Sequence, residues 1–115
     1  MAKKKKPQKE IKPAKKTDKE LLELLDKKIV AGDYVFKKHA RQRQKDRTIT
    51  DLEVLDILEG KSKRNRHRNK SKDKYEKGRK DWNYCIEGKN LDEKEIRIII
   101  SFEDEMIPII TVMWI

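Results

Sequence analysis

Only one cysteine, Cys85, and two histidines, His39 and His67, occur among the 115 residues. No internal disulfide can form and no Cys/His zinc site can be assembled, so no metal and no cofactor is expected, and a reducing, cytoplasmic setting is. Apolar residues make up 35% of the chain and aromatics 6%. That is below the roughly 45–50% apolar content of globular chains even with the four glycines added, so part of the sequence is expected to be solvated and disordered. Long apolar runs are missing too. The longest, Ile107 to Ile115, falls far short of the roughly 20 residues that a membrane helix needs. The N-terminus has no apolar signal region, and the absence of arginine from the first 40 residues argues against an Arg-rich transit peptide. No Gly-rich phosphate loop, Ser/His/Asp order or EF-hand spacing is found.

What the chain does have is charge. Charged residues are 45% of the total and the formal net charge is +10, unevenly spread. Residues 1–16 carry +7, 37–47 carry +5 and 61–80 carry +9, while 17–36, 48–60 and 81–115 are net acidic. Three basic blocks on an acidic, more apolar scaffold suggest a polyanion-binding surface, and nucleic acid is the common polyanion of the cytoplasm. The 1–16 segment has no interleaved aromatic and reads as a disordered basic tail, either a tether for nucleic acid or merely solubilising.

Residues 17–115 form a single expected domain. Thr17-Asp-Lys-Glu20 has capping-box form, and Leu21, Leu22, Leu25 and Ile29 follow at helical spacing up to Gly32, predicting a helix over 18–31. Asp33 to Phe36 reads as a short extended or turn segment, with a second helix over 38–47. Thr50-Asp-Leu-Glu53 repeats the capping box and opens a third helix that Gly60 ends. Residues 61–80 read as a basic loop with an edge strand near 62–68. After Trp82, three runs rich in β-branched and aromatic residues predict antiparallel strands, with Pro108 at the start or edge of the last. The expected fold is α+β: two to three N-terminal helices packed on a three- to four-stranded antiparallel sheet.

His39, Arg43 and Arg47 share one helix face at i, i+4 and i+8, where they can point together at a phosphate backbone. Alternatively the arginines form a solvated stripe paired with Asp46 or Asp51. His67 lies among cations that favour its neutral, proton-accepting form, unless it is simply an exposed loop residue. Arg41, Arg64, Arg66, Arg68, Lys74 and Arg79 supply further phosphate contacts, and Tyr75, Trp82 and Tyr84 supply stacking surfaces or core. Arg97 is a charge inside an apolar strand, on the face of Ile99 and Ser101. Glu103, Asp104 and Glu105 are consecutive in a turn and do not suggest a metal site.

Phe36, His39, Ala40, Arg43, Arg47, Ile49 and the helix ending at Gly60 carry a resemblance. The segment resembles the opening of a bacterial domain family of unassigned function, and Asp81 to Ile115 resembles its closing strands. That family is similar to RelE-like toxins of the MqsR and BrnT types, small metal-independent ribonucleases neutralised by an antitoxin. The resemblance covers about residues 33–115. It implies a cytoplasmic endoribonuclease, with RNA, free or on the ribosome, and a cognate antitoxin as partners. His39, Arg43, Arg97 and His67 are then the catalytic candidates. Two departures stand out: the 61–80 link is longer and more basic than is usual, and the last strand ends Met-Trp-Ile without a cation. A non-catalytic RNA- or ribosome-binding protein on the same scaffold is the alternative.

Overall fold

In the computed structural model, residues 12–60, 66–102 and 105–115 are described. Helix α1 spans Asp18–Ala31, α2 Lys38–Arg47 and α3 Asp51–Glu59. Both capping boxes form: Thr17 and Thr50 accept from the backbone N–H of Glu20 and Glu53, whose carboxylates accept the cap N–H groups in return. The helix ends are set by left-handed residues, Gly32, Thr48 and Gly60. At Gly60 the requirement is double, because its φ is +72° and a Cβ there would lie 2.5 Å from the Arg66 guanidinium.

The fold is α+β, as expected, but its sheet has five strands and is mixed. The strands are β1 Tyr34–Phe36, β2 His67–Arg68, β3 Tyr84–Lys89, β4 Glu95–Ile100 and β5 Ile107–Trp114, in the order β1-β5-β4-β3-β2. The β3–β4–β5 meander and β2 are antiparallel. The extra strand is β1, which joins β5 in parallel through Ile107 N to Asp33 O at 2.8 Å and Lys37 N to Ile109 O at 3.0 Å. A three-residue strand has no periodicity of its own, so only β5 makes it one. Pro108 is the second residue of β5. Its neighbours bond β1, so the missing N–H faces β4 beyond Ile100, the last residue paired there.

Leu21, Leu25, Val54, Ile57 and Leu58 pack on Tyr84, Ile86, Ile96, Ile98, Ile100, Ile107, Ile109 and Val112 to form the core. Alternation sends these strand residues to one face, and Cys85, Glu87, Arg97, Ile99, Thr111 and Met113 to the other. Helix α2 runs beside β5 where β1 ends: Arg47 donates to Val112 O at 2.9 Å and the Trp114 indole donates to Arg47 O at 2.9 Å.

One expectation about the basic segments is corrected. The end of the basic tail, Lys12–Lys16, is docked: Trp82 Nε1 donates to Pro13 O at 2.7 Å, and the Lys15 ammonium sits 4.5 Å from the centre of the Trp82 ring. Lys16 pairs with Asp81 at 3.2 Å. These partners are more than 60 positions away in the chain, out of reach of a composition argument. The edge strand expected near 62–68 is β2, and the basic segment continues as a 3₁₀ turn at Lys70–Lys72 and a Lys74–Asn83 bridge. No helix among the described residues is long and apolar enough to cross a membrane.

Gly88 packs face-on against α3, and a Cβ there would lie 2.7 Å from the Ile57 side chain. Gly78 has open space around it and needs only its φ of +85°. Gly88→Ala should therefore cost about 1–3 kcal/mol by overpacking. Gly78→Ala should cost about 1 kcal/mol. Urea unfolding of the two variants checks the order.

Candidate nucleic-acid interface

The helix-free face of the sheet carries a row of residues in register. His67 stands opposite Glu87, Glu87 opposite Arg97, and Arg97 opposite Met113, across four strands. Glu87 is 6% exposed and gathers the row. Its carboxylate accepts from Arg97 Nε at 2.7 Å, Asn69 Nδ2 at 3.0 Å and Cys85 Sγ at 3.6 Å, and lies 3.2 Å from His67 Nε2. Burial alone would raise the Glu87 pKa, but the donors from Arg97 and Asn69 outweigh it and hold the carboxyl below the ordinary 4.5. An ionised carboxylate can only accept, so the contact with His67 is donated by the ring's Nε2. Arg97 is correspondingly raised by its bond to Glu87. Cys85 is buried and pushed up to about 12 by that burial and by Glu87, which makes it a poor nucleophile.

Beside the row runs a groove of about 350 Å³ lined by Lys72, Lys74, Asn83, Arg97, Ile99, Thr111 and Met113. Asn83 also lines a neighbouring hollow of about 460 Å³ with Lys37, Glu76, Arg79, Pro108 and Ile110. Cations therefore flank an aliphatic floor along the open face.

The expected site residues separate into groups. His67, Arg97, Lys74 and Arg79 come to the open face, although Arg79 also pairs with Glu76 at 3.1 Å. His67 meets the Glu87 carboxylate, a neighbour that its sequence context does not suggest. Strand alternation turns Arg66 and Arg68 to the helix side and leaves His67 beside a carboxylate. Arg66 bonds Asp26 at 2.8 Å and the Leu58 carbonyl at 2.7 Å, so it caps α3. The Arg68 side chain is 0% exposed. It binds Asp73 at 2.7 Å, the Lys16 carbonyl at 2.6 Å and Asp18 at 3.0 Å, which rules it out as a phosphate contact.

Tyr84 is core: its hydroxyl donates to Asp81 at 2.6 Å and accepts from Lys16 N at 3.1 Å. Burial, reinforced by Asp81, raises the pKa of its phenol. Tyr75 packs against Trp82, ring centres 5.6 Å apart, and donates to Arg79 O at 2.8 Å. On α2, Arg43 Nε lies 3.4 Å from His39 Nε2, and neither residue lines the groove. Arg41 pairs with Asp51 at 2.5 Å over the Phe36 ring, and Arg47 is bound to β5. The helix stripe and the sheet face are thus separate. Arg64 lies outside the described residues, as do Glu103 and Asp104.

Glu87, Asn69 and Lys72 are the residues that sequence reasoning missed. A Glu between Ile86 and Gly88 in a strand facing Arg97 was the available signal, but the pairing register that joins them is not written in either strand. Among the described residues, no group of three or more His, Cys, Asp or Glu side chains is placed to hold a metal ion.

The chain is thus an α+β domain of a five-stranded mixed sheet with helices packed on it. Residues 36–114 match the model of the domain of unknown function DUF4258, and the chain belongs to that family. No curated protein and no solved structure matches the chain.

Because the folded-state pKa of Glu87 is depressed, its contribution to stability is present above the unfolded value near 4.5 and is lost as pH falls through the lower folded value. Glu87→Gln should lower stability at pH 7 by about 1–3 kcal/mol. It should also flatten the loss of stability below pH 5. Denaturant titrations across pH check both.

Proposed function

We propose that this protein is an RNA-binding endoribonuclease of the RelE-like toxin type, acting without a metal ion from the open face of its sheet. The observation that carries the reading is the His67–Glu87–Arg97 row at the edge of a lysine-flanked groove. His67 takes the proton from a ribose 2′-hydroxyl, and the 2′-oxygen attacks the adjacent phosphorus. Arg97 and Lys74 stabilise the charge on the phosphorane. The bond from phosphorus to the 5′-oxygen breaks, Lys72 supplies the proton to that oxygen, and a 2′,3′-cyclic phosphate remains. His39 and Arg43 bind flanking RNA rather than the reacting phosphate. A cognate antitoxin and the ribosome are the partners such a role entails, in the cytoplasm.

One observation favours a second reading, a non-catalytic RNA binder. Glu87 already neutralises Arg97, which weakens the case for a fully cationic reaction centre.

Incubation with single-stranded RNA in EDTA, with and without ribosomes, separates the two. Wild-type protein should cleave and leave cyclic phosphate ends, and His67→Ala should slow cleavage by about 10²–10⁴-fold. His39→Ala/Arg43→Ala should keep the wild-type rate at saturating RNA and raise KM. Equal cleavage by His67→Ala rejects the assignment. No cleavage combined with RNA binding that falls steeply with salt, and falls further in Lys74→Ala, supports the second reading.

A further inference from the structure

A second concavity lies where the tip of the β3–β4 hairpin meets the first turn of α3. It has a volume of about 220 Å³ and is lined by Leu52, Glu53, Asp56, Asn90 and Leu91. Leu52 and Leu91 are each 76% exposed, the most exposed of the large apolar side chains among the described residues. Neither serves the core, which takes Val54, Ile57 and Leu58 from α3. A leucine also has no local role in the tip Asn90-Leu-Asp-Glu93, where polar residues make the turn.

The pair is nevertheless held firmly. Asn90 is 5% exposed; its Nδ2 donates to Glu53 Oε2 at 2.8 Å, and its Oδ1 accepts from the backbone N–H of Asp92 and Lys94, both at 2.9 Å. Glu93 adopts a φ of +61° to close the turn. A buried amide thus ties the hairpin tip to the helix and fixes Leu91 next to Leu52.

The rim has the opposite sign to the molecule. Glu53 and Asp56 line the concavity from α3, and Asp92 and Glu93 follow Leu91 in the exposed tip, on a chain of net charge +10. Such a rim repels nucleic acid and attracts a cation, while two fixed leucines call for an apolar side chain. We propose that this surface docks a cationic amphipathic segment of a partner protein. An aliphatic side chain of the partner enters between Leu52 and Leu91, and its Lys or Arg residues face Glu53, Asp56, Asp92 and Glu93. The small area makes the contact weak by itself, on the order of micromolar or weaker. The proposal does not depend on the ribonuclease reading, because it uses none of the groove residues.

The test uses the full-length, nitrogen-15-labelled protein and two synthetic helical peptides with leucines at i, i+3 and i+4. One carries lysines at the other positions, and its twin carries glutamates. The lysine peptide should shift the amide signals of Leu52, Asn90 and Leu91, with an affinity that falls as salt rises. Leu52→Asp/Leu91→Asp should fold as the wild type does, because Asp suits both a helix first turn and a tight turn. A thermal melt checks this. The added acids strengthen attraction for lysine, so a loss of binding of about tenfold or more in this variant isolates the apolar contact. Equal binding of both peptides, no shifts at these amides, or unchanged affinity in the double variant would overturn the proposal.

Discussion

The enclosed Arg68–Asp73 ion pair is the contact on which the rest of this structure rests. The two side chains are both 0% exposed, and Asp73 also accepts from Cys85 N at 3.0 Å, taking over the edge of β3 where β2 stops. The same guanidinium reaches Asp18 in the first turn of α1 and the Lys16 carbonyl, and its Cζ lies 5.1 Å from the centre of the Tyr84 ring. One cation thus joins the N-terminal strap, the first helix and the sheet edge. Two charges withdrawn from water are tolerated only when their remaining donors and acceptors are engaged. Four acceptor contacts on Arg68 meet that condition.

The candidate site follows from that clamp. Holding Arg68 inward fixes β2 in register with β3, and alternation then turns His67 outward to Glu87. A slip of one residue would place an arginine opposite Glu87 and bury the histidine. The stability of the edge and the chemistry of the open face are therefore the same constraint seen from two sides of the sheet. The cations of residues 66–80 likewise divide by face, with Arg66 and Arg68 holding the fold together and Lys72, Lys74 and Arg79 left along the groove.

The molecule also divides by charge. Its open sheet face is flanked by Lys37, Lys72, Lys74, Arg79 and Arg97, whereas the α3 and hairpin-tip surface is acidic around two exposed leucines. Surfaces of opposite sign on one small domain can engage a polyanion and a polypeptide without competition. The strap Lys12–Lys16 belongs to a third region, where its lysines meet Trp82, Asp73 and Asp81. A lysine count therefore overstates the charge available to a ligand.

Local chemistry determined much of this protein. Capping boxes at Thr17 and Thr50 with glycines at 32 and 60 bound two helices, α2 lies where its composition predicts, and β-branched runs mark the meander, because these signals act within a turn or a strand. The sequence also marked His67, Arg97 and Lys74 as functional candidates by residue type. Only the tertiary structure decided which cations are structural and which face a groove. It withdrew Arg66, Arg68 and Tyr84, set His39 and Arg43 apart, brought in Glu87, and made β1 a strand. Each of those outcomes depends on a partner far along the chain: Glu87 for His67, Asp18 for Arg68, Ile109 for Phe36. Strand register and long-range ion pairing are properties of the assembled sheet, and no local pattern encodes them.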